Sequence, residues 1–204
     1  MDKQIILSVG REFGSAGHEI AEKIAKDLQI SLYDRRLLDE LVQEYGLNPK
    51  DLEKYDEKPR NIILSRSVRG HSNSISEAVA ELQFKFLREK AAAGESFVIV
   101  GRCAEIVLAD NEALCSVFIL GDKESKIARV MEMYHLGRDE AEAKMKRHDK
   151  ERKSYHNAYS KFSWGDSRGY DLCINSSQLG NDKTAELIKR FVFAKRGLQD
   201  SDIE

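Results

Sequence analysis

Gln4-Ile5-Ile6-Leu7-Ser8-Val9 runs into Gly10-Arg11-Glu12-Phe13-Gly14-Ser15-Ala16-Gly17-His18-Glu19 and then into Ile20-Ala21-Glu22-Lys23-Ile24-Ala25-Lys26-Asp27-Leu28. The first stretch reads as a buried strand and the second as a glycine-rich turn. The third reads as a helix from about Gly17, with Ile20, Ile24 and Leu28 on one stripe. This order is a geometry that holds phosphate. N–H groups of the turn and of the first helical turn converge on one spot, which the helix dipole makes positive. Glycines let the backbone come close and adopt positive φ. Taken alone, the stretch reads equally well as an ordinary α/β connection.

The remainder of the chain decides between the two. Apolar runs recur at residues 4–9, 30–33, 97–101, 114–120 and 171–175. Several are nearly continuous in Val, Ile, Leu, Phe and Cys, as in a parallel sheet covered on both faces. Helical patterns separate them, so the expected fold class is α/β with a doubly wound parallel sheet. Helices are expected at residues 36–45, ending at Gly46, and along Ile75, Val79, Leu82 and Phe86 to Gly94. Further helices are expected at residues 124–136 capped by Asp122, at 138–159, and at 183–195 packing Leu187, Ile188, Phe191 and Val192. The tail after Gly197 reads as frayed. Residues 59–76, with Arg60, Arg66 and Arg69, read as a mobile basic segment, and residues 138–163 as a charged segment with little to bury.

The 204 residues suit one domain spanning 1–204. Charged residues make up 33%, yet 33 Lys+Arg nearly cancel 35 Asp+Glu, leaving a net charge of -2. That balance gives no global attraction to nucleic acid or to an acidic membrane, so any anion site is a local cluster. Cys103, Cys115 and Cys173 show no metal-ligand spacing and no disulfide framework, which fits a reducing cytoplasm. No leader opens the chain and no apolar run approaches a membrane span. A homodimer is left open.

Against the standard phosphate-binding pattern G-x-x-x-x-G-K-[ST], His18 stands where the Lys belongs and Glu19 where the Ser/Thr belongs. Three further stretches accompany the loop: Leu32-Tyr33-Asp34-Arg35-Arg36, Val98-Ile99-Val100-Gly101-Arg102-Cys103-Ala104 and Tyr170-Asp171-Leu172-Cys173-Ile174-Asn175-Ser176-Ser177. In this order and spacing the chain resembles the cytidylate-kinase-like family of P-loop nucleoside monophosphate kinases. The resemblance covers essentially the whole chain. It implies a three-layer P-loop fold with a five-stranded parallel sheet, an acceptor-binding helical region at about 34–94 and a helical lid at about 138–163. It also implies ATP and Mg²⁺ as cofactors and nucleotides as substrates.

The resemblance further implies site residues. Gly10, Arg11, Gly14, Ser15, Ala16, Gly17, His18 and Glu19 would surround the ATP phosphates. Asp34, Arg35, Arg36 and Arg102 would face the acceptor. Arg102 ends a central strand, where open sheets bind ligands, and the other reading is a surface arginine on a loop. Arg35 and Arg36 read nearly as well as a solvated first helical turn. Arg147 and Arg152 flank Asp149 in a lid-like R-x-D-x-x-R arrangement, and Arg129 could join them as catalytic cations. A solvated charged helix is the competing reading for this stretch. Glu19 would either bind Mg²⁺ or point away as a first-turn acid. Cys103 replaces the Asp that helps cytidylate kinases read cytosine. His71, His135, His148 and His156 form no metal-ligand spacing, and a solvated helix face accounts for His148 and His156. Tyr155, Tyr159, Phe162 and Trp164 could stack on adenine or anchor their segment to the core.

The expected function is transfer of a phosphoryl group from ATP to a nucleoside monophosphate or a similar small acceptor. The alternatives are a non-catalytic nucleotide-binding or regulatory protein on the same scaffold, and a kinase for a non-nucleotide small molecule.

Overall fold

The computed structural model describes residues 3–34, 67–68, 71–72 and 75–199. Arg35, Arg36, the helix expected at 36–45 and most of the basic stretch 59–76 lie outside the described residues. So does most of the expected acceptor region 34–94.

All five apolar runs are strands. β1 (Ile6–Arg11) sits at the centre of the main sheet. β2 (Ser31–Tyr33), β5 (Phe97–Val100), β6 (Leu114–Leu120) and β7 (Leu172–Asn175) complete it, in the order β2-β5-β1-β6-β7 and all parallel. The short strands β3 (Ser67–Val68) and β4 (His71–Ser72) pair separately and antiparallel.

The runs are continuous in hydrophobicity because both faces are covered. On one face Leu7, Val9, Val98, Val117 and Ile119 meet Ile20 and Ile24 of α1 (Gly17–Asp27) and Ile188 and Val192 of the C-terminal helix. On the other, Ile6, Phe97 and Ile99 meet Val79, Phe86 and Leu87 of α2 (Ile75–Ala92), together with Ala104 of the short α3 (Ala104–Val107). Two serines interrupt the apolar runs side by side, since Ser8 pairs in register with Ser116. Each hydroxyl is satisfied inside the core, Ser8 by Glu105 and Ser116 by Asp171.

Three expectations change. α4 (Lys123–Tyr134) begins after Asp122, but the Asp122 side chain does not cap it. That carboxylate accepts from Asn175 and Gln178 across the sheet end. α5 (Arg138–Tyr159) has the expected span, yet it buries Ala141, Met145, Tyr155 and His156, so the segment has an inward face. α6 (Ser176–Arg196) starts seven residues earlier than expected. Asn175 caps it by accepting from the Ser177 amide, and a kink at Gly180 (φ 73, ψ 172) splits it. Leu187 faces outward, at 41% exposure, whereas Phe193 is part of the core.

The chain leaves β1 through α1 on one face and leaves β5 through α3 on the other. A crevice therefore opens between the C-terminal ends of β1 and β5, where open α/β sheets bind ligands.

Candidate active site

The turn after β1 has the backbone of an anion cradle. Gly14 (φ 83) and Ala16 (φ 60) are left-handed, and Ala16 occupies the capping position of α1 without offering a side-chain cap. The first N–H groups of α1 are thus turned toward a ligand position. The turn is held from below. Ser15 donates to the Glu12 carbonyl, and Ser176 donates to the Ser15 carbonyl. Glu12 accepts from the Gly121 amide and from the buried Lys126 ammonium at 2.7 Å. A Cβ at Gly14 would lie 2.9 Å from the Lys126 carbonyl, which fixes glycine at that position.

The two residues that depart from the standard pattern are both engaged. His18 donates from Nε2 to Asp34 at 2.7 Å, joining α1 to the end of β2. Glu19 accepts from Arg129 at 2.6 Å and from Asn181 at 2.8 Å. The carboxylate expected as a Mg²⁺ ligand is therefore occupied by a guanidinium and an amide. Among the described residues no group of three His, Cys, Asp or Glu side chains could hold a metal ion. These side chains do not fit a resident metal.

The end of β5 carries the tightest backbone. Gly101 (φ 79), Arg102 (φ 61) and Cys103 (φ 52) are left-handed in succession. For the two non-glycine residues this costs about 1–2 kcal/mol each, and such strain gathers at functional sites. The twist directs Cys103 into an apolar cluster with Ala80, Phe84 and Tyr155. It holds Arg102, at 2% exposure, under the carbonyl of Asp34.

Arg152 of α5 reaches across and donates to the Arg11 carbonyl at 3.4 Å, its guanidinium 5.4 Å from the Phe13 ring centroid. Phe13 stacks on His148 with centroids 4.4 Å apart, and its amide donates to Asp149 at 2.7 Å. α5 thus lies docked on the turn. Between the turn, Arg102 and α5 is a narrow recess, lined by Arg11, Arg102, Glu105, Arg152, His156 and Trp164 among others.

The sequence profile of the cytidylate kinase-like family matches residues 6–178. The chain belongs to the cytidylate kinase-like family. An uncharacterized protein from Eubacterium ventriosum is 40% identical, with a TM-score of 0.74 over 93% of this chain and 98% of that one. The shikimate kinase from Bacteroides thetaiotaomicron is similar in fold at 13% identity, TM-score 0.51, covering 93% of this chain and 97% of that one. The Acinetobacter baumannii shikimate kinase, solved with shikimate, is similar at 15% identity, TM-score 0.52, covering 96% of each chain. Among curated proteins none matches. The fold is that of the P-loop kinases. Membership in this kinase-like family implies nucleotide-dependent phosphoryl transfer at a general level. Among the described residues no helix is long and apolar enough to cross a membrane.

In this kinase-like chain, Arg11, Arg102 and Arg152 gather at one recess, and the turn after β1 is its neighbour. Arg147 is exposed on α5, about 140° around the helix from Arg152 at 100° per residue. Arg129 donates to Glu19 and Asn181 and is not on the lining of the recess. The aromatic residues serve mainly as anchors: Tyr155 and Tyr159 pack with Phe84, and Trp164 packs edge-on to Phe118. Phe162 is exposed at 43%.

Sequence reasoning missed Glu105, His156 and Tyr170. His156 is not on a solvated face. It is 6% exposed and meets Glu105 at 3.0 Å, with the Tyr170 hydroxyl 3.3 Å from the same nitrogen. The available signal was the spacing of Arg152, Tyr155 and His156 at i, i+3 and i+4, one helix face.

Asp149 yields a test of how α5 docks. Burial pushes its carboxyl above the ordinary 3.8, and the Phe13 amide offsets part of that rise. The folded chain therefore holds this proton more tightly than the unfolded chain does. Stability from this group is present below 3.8 and is lost as pH rises through the folded-state value. Asp149→Asn keeps an oxygen for the Phe13 amide and removes the buried charge. Thermal melts should show the variant at least as stable as the wild type near pH 7, with its advantage vanishing toward about pH 4. A variant less stable at neutral pH would show that the charge itself holds the helix.

Proposed function

We propose that this chain transfers the γ-phosphoryl group of ATP to a small phosphorylated acceptor, with nucleoside monophosphates of the cytidylate type as the leading class. The observation that carries this reading is the convergence of Arg11, Arg102 and Arg152 on one recess beside the N-terminus of α1. Phosphoryl transfer needs positioning and positive charge more than covalent help, and arginine's fork suits phosphate oxygens.

In this reading the N–H groups of residues 14–19 hold the nucleotide phosphates. Arg102, fixed by its left-handed backbone, holds the acceptor phosphate. Arg152 brings charge to the moving group, with residues 138–163 acting as a lid. An acceptor oxygen bonds to the γ-phosphorus as the bond to the β–γ bridging oxygen breaks, and ADP leaves. Mg²⁺ enters with ATP, as the MgATP substrate.

One observation favours a second reading, a non-catalytic nucleotide binder. The residues replacing Lys and Ser/Thr are tied into pairs, His18 with Asp34 and Glu19 with Arg129. Steady-state ADP formation from MgATP, measured against CMP, UMP, AMP and shikimate, separates the readings. One acceptor should raise ADP formation well above the acceptor-free rate. Arg102→Ala should then lower kcat/KM for that acceptor by about 2–3 kcal/mol while the KM for ATP changes little. No acceptor-dependent turnover would leave the binder. Turnover with shikimate alone would move the acceptor outside the nucleotides.

A further inference from the structure

We infer that Lys126 is a positioning residue of the nucleotide site: it locks and neutralises the Glu12 carboxylate, and so lets the turn after β1 accept a polyanion. This rests on the phosphotransferase reading only for the seat of the nucleotide phosphates, not for transfer.

The turn contains opposing signs. The first N–H groups of α1 suit phosphate, yet Glu12 puts a negative charge into the same short stretch. His18, at the usual place of a lysine, is committed to Asp34. An ammonium reaches the turn from α4 instead. Among the described residues Lys126 is the one buried lysine, with a side chain only 10% exposed. A buried ammonium is costly unless it is paired, and its partner is Glu12 at 2.7 Å. The oxygen that takes this bond, Oε2, also accepts from the Gly121 amide at 3.0 Å.

Both members of the pair are built into the turn. Glu12 donates its amide to the Ile119 carbonyl at 3.0 Å, and its own carbonyl accepts from the Ser15 hydroxyl at 2.9 Å. Lys126 lies directly against Gly14, where an added Cβ would meet the Lys126 carbonyl at 2.9 Å and its Cβ at 3.2 Å. One lysine therefore supports the turn twice, with its head at Glu12 and its base at Gly14. The charges are also felt beyond their own contact. Burial pushes the Asp149 carboxyl up, and among the lesser influences Lys126 lowers it and Glu12 raises it. Asp149 accepts from the amide of Phe13, the residue after Glu12. A phosphate seated on this turn would feel the same two charges, and Glu12 without Lys126 would repel it.

Charge and shape can be separated because both bonds fall on one oxygen. Glu12→Gln keeps an oxygen for Lys126 and Gly121 and removes the negative charge, leaving the ammonium in excess. Lys126→Met keeps an unbranched stem and leaves the carboxylate in excess. The two changes should therefore move ATP affinity in opposite directions, whereas a purely structural pair would weaken it in both.

Dissociation constants for ATP are measured by calorimetry on the full chain, at low and at high salt. Glu12→Gln should bind ATP at least as tightly as wild type. Lys126→Met should bind it more weakly, on the order of tenfold. The double variant Glu12→Gln/Lys126→Met should return to within about threefold of wild type, and the spread among the proteins should shrink as salt rises. Weaker binding by Glu12→Gln, a double variant no better than Lys126→Met, a spread indifferent to salt, or a wild type that does not bind ATP would each overturn the assignment. If Lys126→Met fails to fold, the sign of the Glu12→Gln effect still decides. The two proposals fail separately. Opposite shifts without acceptor-dependent turnover leave Lys126 standing, and turnover with both single variants weakened leaves phosphoryl transfer standing.

Discussion

Arg152→Ala is expected to lower kcat for phosphoryl transfer by about 10²–10³-fold, the scale for removing one preorganised charge donor, with the chain still folded. Arg152 lines the recess, donates to the Arg11 carbonyl and lies over Phe13, so its head is already positioned when the helix is docked. Arg147, exposed on the same helix, should cost little when changed to Ala. His18→Ala should also cost less than Arg152→Ala, because the imidazole is committed to Asp34. Steady-state transfer by the three variants, with the productive acceptor, checks this. If Arg152→Lys restored stability but not rate, the fork geometry would be the active feature. A kcat unchanged in Arg152→Ala would remove α5 from the reaction. A dead His18→Ala beside an active Arg152→Ala would move the missing positive charge back to the loop.

Gly17→Val should abolish ATP binding, raising its Kd by at least about 100-fold, a loss of about 2.7 kcal/mol. The reason is steric. A Cβ built at Gly17 lies 2.5 Å from the Arg11 Cβ, a contact no side chain tolerates. Gly17 starts α1 and needs no positive φ; the left-handed residues are Gly14 and Ala16. A valine would push Arg11 and the first turn of α1 apart and splay the N–H groups meant for the nucleotide. The readout is ATP affinity beside a denaturant melt, because the core on both faces of the sheet does not depend on this contact. A folded variant with wild-type ATP affinity would exclude the turn from the nucleotide site.

What the sequence made legible was whatever depends on local pattern. The five strands, the start of α1 at Gly17 and the span of α5 follow from apolar runs and helical stripes. Arg102 and the loop could be placed at strand ends because parallel sheets put ligands there. Pairings between distant residues were not legible. Nothing near His156 announces Glu105, fifty-one positions earlier in the chain, and a histidine among charges reads as solvated until its partner is known. Asp122 has the chemistry of a cap, yet Asn175 and Gln178 compete for its oxygens. The direction of Cys103 was hidden too, since three successive left-handed residues are a backbone property that only Gly101 hints at. Arg35 and Arg36 remain proposals from the resemblance.

The contact between the Phe13 amide and Asp149 couples two parts of the chain that stand 136 positions apart. A nucleotide that orders the turn must also favour the docked helix, and by thermodynamic reciprocity a change that loosens the helix must weaken the nucleotide by the same free energy. The Phe13 amide is thus a built-in reporter. Its hydrogen-exchange rate measures how often α5 lifts from the turn, before any chemistry has occurred.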